Sequence, residues 1–499
     1  MSGYLAIHLR RRARCTRGVR GASGFASQRR RGALLCILLA GVASLIGIRP
    51  IQAQTSPFNL QAALAAAQPG ATITVPAGVY PGPLILDKPV TLVTAEGAII
   101  DGGGKGDVVV VSAPDVTLRG FVIRNSGASL DREHAGITVT ARRVRLERNR
   151  LEDVLFGIYL KNAPGSLLRD NVVLSKDVAI ARRGDGVKVW YSADCRIEGN
   201  HVRGSRDVIL WYSPHCVVRN NVVEESRYGL HYMQSNDAVM EHNILRNNSV
   251  GVYIMYGRDV LLSNNVIYNH RGPSGFGLGL KDAVNVTVTG NRMVGNRVGV
   301  YVDNSPPEPG ATVTFERNLF AYNEIGAELL PNVKRNHYVD NVFLENGEQV
   351  AIAGAGDASG SNWSVAGRGN FWSDYVGFDA DGDGVGDLPY RAQSLFENLL
   401  SNHPELRLFQ LSPAADALDL AARAFPIFQP RPKLADEHPL MAPPPLPVVE
   451  GLPTAPLVAN LAASSVMVGI AAAIVWGARR NGSRHNARFA IHRRNRDGS

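Results

Sequence analysis

Cysteine is scarce in this chain. There are four in 499 residues, and two of them, Cys15 and Cys36, fall within the first 54. Such usage excludes a framework stapled by disulfides. Charge is also thin, at 19% against 45% hydrophobic residues, which excludes an extended disordered chain. Residues 1–54 lack lysine and acid altogether but carry ten arginines, and residues 479–499 hold seven arginines and one aspartate. With both ends set aside, 36 basic residues face 43 acidic ones, a net of −7. The whole-chain charge of +9 is therefore no argument for nucleic acid as a partner.

Long apolar runs are confined to the two ends. Arg29, Arg30 and Arg31 precede an apolar stretch over residues 33–48, and Ala53 supplies a small residue before a cleavage point. Residues 1–53 thus read as an export signal. Residues 456–478 are uncharged up to Gly477 and long enough for a transmembrane helix of about 20 residues. Arg479, Arg480, Arg484 and Arg488 follow. Positive-inside logic puts a basic tail, 479–499, in the cytoplasm and the large domain in the periplasm, anchored to the inner membrane.

Between these ends a short phrase recurs. Gly186–Ser192 reads Gly-Val-Lys-Val-Trp-Tyr-Ser, Gly229–Ser235 reads Gly-Leu-His-Tyr-Met-Gln-Ser, and Gly251–Gly257 reads Gly-Val-Tyr-Ile-Met-Tyr-Gly. A variant runs from Asp207 to Ser213. The period is 21 or 22 residues, and a second column tracks it: Asn149, Asn171, Asn200, Asn221, Asn243, Asn265, Asn291, Asn318 and Asn341. No coil of this length can bury its own apolar face. Stacking at about 4.8 Å buries one continuous core and pairs the backbone. The expectation is an all-β, right-handed parallel β-helix over residues 57–350, the asparagines forming a structural ladder at one turn. A short helix over residues 58–68 would cap its open N-terminal end. The period slips at 162–185, 269–277 and 306–311, where loops should bulge. A mixed C-terminal segment, 351–443, and a proline-rich linker, 444–455, complete the chain.

Strand alternation sorts the phrase. Val187, Val189, Val208, Leu210, Leu230, Tyr232, Val252 and Ile254 should point inward. Lys188, Ile209, His231 and Tyr253 then form one outward column, and Trp190, Trp211, Met233 and Met255 another, with Tyr191, Tyr212 and Tyr256 beside it. A contiguous apolar patch on an exported domain marks a binding surface, unless the C-terminal segment folds over it. Trp190, Trp211, Tyr212 and Tyr253 suit a partner surface. His231, Met233 and Met255 are soft ligands in reach of one Cu(I) ion, although such residues more often simply pack. Asp379, Asp381, Asp383 and Asp387 follow the early spacing of a calcium loop, but Tyr390 stands where its bidentate glutamate belongs. A turn cluster of Asp and Gly is the plain alternative. Cys195 and Cys216 share a column one coil apart and read as stacked core thiols, with a disulfide open to them. A polysaccharide-binding or polysaccharide-cleaving protein is the rival reading. Asp185, Asp207, Asp237 and Asp303 lie near coil starts, and a glycosidase needs two carboxylates about 5–9.5 Å apart.

Arg227-Tyr-Gly-Leu-His-Tyr-Met-Gln-Ser-Asn-Asp237, Gly369-Asn-Phe-Trp-Ser-Asp-Tyr375, Asp383-Gly-Val-Gly-Asp-Leu-Pro-Tyr390, Leu411-Ser-Pro-Ala414 and His438-Pro-Leu-Met441 are more specific than any Gly or Asn column. Together they resemble the NosD family of periplasmic maturation proteins, over about residues 57–443. The resemblance implies a non-enzymatic subunit that works beside an ABC transporter (a NosF-type ATPase and a NosY-type permease) and a NosL-type copper chaperone. The product it implies is the copper–sulfide centre of nitrous oxide reductase. It also implies that residues 363–441 carry the transporter-facing contacts. The transmembrane helix departs from the family pattern.

Overall fold

A computed structural model describes residues 58–447, apart from residues 96, 355, 395, 397–398, 400–402, 410–411 and 425–431. The expected export signal, membrane helix and basic tail lie outside the described residues, as does most of the linker. Among the described residues no helix is long and apolar enough to cross a membrane.

The chain winds through three parallel sheets, here A, B and C, of 12, 13 and 12 strands. Within these three sheets neighbouring strands come from successive coils, as Val218 pairs with Met240 and Val223 with Leu245. The result is an all-β parallel solenoid of about 12 turns, as the repeat predicts. Many strands of sheets A and B are three residues long with the central one buried. Each coil contributes only a few apolar side chains to the interior, and the stack joins them into one core.

Turns are held by side-chain ladders. The predicted asparagine column is continuous from Asn149 to Asn341, each amide donating to the oxygen of the next, and Asn370 adds one more rung. A second ladder runs through Ser205, Ser226, Asn248, His270, Asn296, Asn323 and Asn346. There a side chain of each coil accepts the backbone N–H of the coil before. These contacts satisfy turn amides that the solenoid buries.

Both described ends are closed. The helix Leu60–Ala66 starts at Asn59, whose side chain accepts from the Ala62 N–H at 2.9 Å. Leu60 and Leu64 seal the core, and Lys88 donates to the Ala65 carbonyl at the helix C-terminus. At the other end, Trp363 stacks on Tyr338 with centroids 4.2 Å apart, and Trp372 on Phe343 at 4.4 Å. Phe371–Trp372 adds the last strand of sheet B. Asp436 arrives from 66 residues further on and terminates the asparagine ladder, accepting from the Asn370 N–H at 2.8 Å and the Trp372 indole at 2.9 Å. The C-terminal segment also carries a helix, Pro413–Ala424.

Where the period slips, the chain leaves the coil. Residues 176–186 and 269–275 bulge where sheet B turns into sheet C, and residues 304–312 where sheet C turns into sheet A. A fourth excursion at the B-to-C corner, residues 125–134, precedes the clear repeat and was not marked by its period.

Candidate functional site

The recurring phrase forms the centre of sheet C. Strands Val187–Trp190, Asp207–Trp211, Tyr228–Met233 and Val250–Met255 stack in parallel. All eight residues assigned inward by alternation are buried. On the outer side the register sets Trp190 beside Trp211, Trp211 beside Met233 and Met233 beside Met255. Lys161 precedes this row and Lys281 follows it. All four central residues are half-buried. Lys161 caps the row with its ammonium 5.4 Å from the Trp190 ring centroid.

The other outward column corrects the expectation of exposure. Lys188, Ile209 and His231 retain only 9%, 6% and 7% of their accessible surface. Among the described residues, the partners found for this column come from the solenoid and not from the C-terminal segment. The 125–134 excursion supplies Glu133, which pairs with Lys188, and Leu130, which packs with Phe156 and Tyr159. Lys188 in turn lies 4.7 Å from the Tyr159 ring centroid. Arg206 and Arg227 rise from the corner and return onto buried carboxylates: Arg206 on Asp185 at 2.8 and 2.9 Å, Arg227 on Asp207 through two bonds. The sequence shows this column's direction but not that Lys188 meets Glu133, which comes from the 125–134 excursion.

His231 sits inside this charged cluster. Its Nδ1 is 3.2 Å from Asp207 Oδ2, and its ring meets Tyr228 edge-on at 4.9 Å. Its Nε2 is buried and has no hydrogen-bond partner among the described residues. Burial pushes the Asp207 carboxyl up, but the bonds from His231 and Arg227 outweigh it and hold the group below its ordinary range. Asp185 goes the other way. Its burial dominates, Arg206 offsets only part of it, and the nearby Asp207 charge adds to the rise.

A local irregularity places Asp207. It pairs with Tyr228, and the register then shifts so that Ile209 pairs with His231. This coil is one residue shorter than the next at that point, so Asp207 stands where the next coil has Tyr228 and Gly229. Tyr228 stacks on Tyr253 at 5.7 Å, and Tyr253 lies across Gly279, where any Cβ would come within 2.6 Å of the ring. Of the expected ligands, then, Met233 and Met255 are neighbours in register. His231 stands two residues before Met233 on the same face, drawn toward Asp207.

At the strand ends sheet C turns through a left-handed residue in every coil of this region: Asn162, Tyr191, Tyr212, Gln234, Tyr256, Asp282 and Asn304, with φ from 44° to 52° except Tyr256 at 55°. Asparagine and aspartate tolerate that conformation, while an aromatic residue is a costly choice. Three tyrosines nevertheless occupy it. Tyr191 and Tyr212 stack at 4.8 Å, and Tyr212 stacks on Trp211 at 5.8 Å. Tyr191 and Tyr256 are 50% and 44% exposed.

The remaining candidates are elsewhere. Asp379, Asp381 and Asp383 converge, their carboxylate oxygens within 4.8 Å of one another. Asp387 does not join them and accepts from the Ala380 N–H at 2.7 Å. Cys195 and Cys216 are buried free thiols, donating to the carbonyls of Ala163 and Ser192, both at 3.5 Å. The acids considered for sugar chemistry are each paired with a cation or an imidazole: Asp185 with Arg206, Asp207 with Arg227, Asp237 with His215 and Asp303 with Lys281.

Fold and site together define a class: a parallel β-solenoid that presents an aromatic and thioether row on one sheet. Residues 173–377, which include that row, match the family model described as "Periplasmic copper-binding protein (NosD)". A protein of Pseudomonas aeruginosa named "Probable ABC transporter binding protein NosD" is 35% identical over 377 residues, 73% of this chain and 87% of that one. A protein of the same name from Stutzerimonas stutzeri is 31% identical over 385 residues, 74% and 86% of the two chains. The chain belongs to the NosD family. Among solved structures, the A-module of mannuronan C-5 epimerase AlgE4 from Azotobacter vinelandii is similar at 16% identity and a TM-score of 0.37, over 61% of this chain and 93% of that one. A PL6 alginate lyase in complex with a trisaccharide is similar at 14% identity and 0.42, over 60% and 84%. At that distance the likeness says nothing of chemistry.

Proposed function

We propose that this chain is a non-enzymatic periplasmic accessory protein for assembly of the copper–sulfide centre of nitrous oxide reductase, held at the inner membrane by its C-terminal helix. It works beside an ABC transporter of NosF and NosY type, receives copper from a NosL-type chaperone, and meets the reductase itself. The family supports copper and a transporter as the setting. The observation that carries the reading is the outer row of sheet C, with tyrosines in backbone positions that disfavour them. A row whose residues run against local conformational preference is kept for contact rather than for the fold.

Copper is cargo in this reading, and the donors on the face fit it. Thioethers and a neutral imidazole are soft, uncharged ligands suited to Cu(I). His231, Met233 and Met255 are the residues that would receive it, with Trp190, Trp211, Tyr212 and Tyr253 as surrounding partner surface. Changing His231, Met233 and Met255 together to alanine is expected to abolish Cu(I) binding by the isolated protein. Unchanged affinity would leave the row as a protein-contact surface only. A strain lacking this protein is expected to make reductase polypeptide without its copper–sulfide centre, and full metallation there would refute the assignment.

The polysaccharide reading has less support on this face. The Tyr191 and Tyr212 rings stack at 4.8 Å and Tyr212 and Trp211 at 5.8 Å, so these rings take up faces of one another. Sugar rings stack on exposed aromatic faces, whereas protein partners use ring edges and hydroxyls equally well. Glycan arrays and reducing-end assays are expected to give no signal.

A further inference from the structure

The bond between Asp207 and His231 has a chemical consequence for the ring. An ionised carboxylate only accepts hydrogen bonds, so a neutral imidazole facing it carries its proton on Nδ1. Its lone pair is then left on Nε2, the atom that is buried without a partner. A buried acceptor with nothing to accept from costs about 1–3 kcal/mol, a cost that a bound metal ion would remove. The carboxylate is itself fixed. Arg227 engages both of its oxygens, and the shortened coil sets Asp207 opposite Tyr228, within reach of the ring.

Carboxylate, imidazole and open nitrogen in that order form the arrangement by which proteins orient a histidine toward a metal. We propose that Asp207, clamped by Arg227, is a positioning residue that holds His231 in the tautomer whose Nε2 accepts Cu(I). This deepens the copper reading above and rests on it. It separates two roles on one face: His231 is the oriented nitrogen donor, while Met233 and Met255 are flexible sulfur donors whose thioethers need no orienting partner.

The test uses the full-length protein with 15N-labelled histidine. In the metal-free wild type, His231 should show a protonated Nδ1 and an unprotonated Nε2. Asp207→Asn should mix the tautomers and weaken Cu(I) binding about 10–100-fold in competition with a chromophoric chelator. Asp207→Asn combined with Arg227→Gln removes the ion pair as a unit, and should show the same loss with an unchanged circular dichroism spectrum. His231→Ala should remove the nitrogen donor from the Cu(I) X-ray absorption spectrum. Unchanged tautomer and affinity in both Asp207 variants would overturn the positioning role while leaving the copper reading intact. A wild type that binds no Cu(I) would overturn the copper reading and this proposal with it, whereas His231→Ala with unchanged affinity would overturn the proposal alone.

Discussion

Tyrosine at a left-handed corner sets two effects of similar size against each other. The strained backbone costs about 1 kcal/mol or more, and ring stacking returns about 0.5–1.5 kcal/mol. Tyr212→Asn should therefore change unfolding free energy by no more than about 1 kcal/mol in denaturant titration, while weakening copper-centre assembly in cells. A loss of 3 kcal/mol or more would make the stack a structural element. His270 makes a sharper case for pH. Its ring occupies a rung of the second ladder, wholly buried, and burial pushes its pKa down from 6.5 to about 4. The folded state thus binds fewer protons than the unfolded one between those values. Its neutral ring is undisturbed above about pH 6.5, and stability falls as pH drops from there toward 4, by on the order of 3 kcal/mol in all. Asparagine fills the same rung in neighbouring coils, so His270→Asn should flatten this part of the stability–pH curve. An identical slope in the variant would contradict the assignment.

Ladders and loops carry the next level. Asn243 accepts from the Asn221 N–H and amide, and donates to Val218 O and Asn265 Oδ1. Asn243→Ala leaves buried donors unmet and should cost about 2–4 kcal/mol, read from the denaturation midpoint. A change below 1 kcal/mol would mean that the ladder is ornamental. The 379–387 loop is a separate question. Its three converging carboxylates repel one another when ionised, and Asp379 is held below its ordinary range by N–H groups of Gly384 and Gly382 despite some burial. Millimolar Ca2+ should raise the melting temperature of the wild type and leave an Asp381→Asn/Asp383→Asn variant unmoved. Equal melting curves with and without the ion would reduce the loop to a turn cluster.

At this same level the limits of the sequence are plain. One residue type at fixed spacing made the first ladder legible. The second mixes Ser, Asn and His, so its members share a geometry but no letter. Inward positions followed from alternation alone. The sheltering of Lys188 and His231 did not, because Lys188 meets Glu133 from the 125–134 excursion and His231 meets Asp207 of the coil before it. The shortened coil at Asp207 concealed its partnership with His231, since counting from the glycines sets Asp207 against Gly229 instead of Tyr228.

Over the whole molecule, the solenoid is a ruler. Coils fix side chains at a constant step, closed by a helix at one end and by Trp363, Trp372 and Asp436 at the other. Neighbouring coils support one another, so the outer row of sheet C can vary without loss of the core. Function is then separable from folding. Trp211→Ala/Met233→Ala/Met255→Ala should leave a folded, exported protein. The decisive measurement is the copper and sulfide content of nitrous oxide reductase purified from cells that carry this variant in place of the wild type. The account predicts reductase polypeptide at normal yield without its copper–sulfide centre. A fully assembled centre in those cells would contradict it.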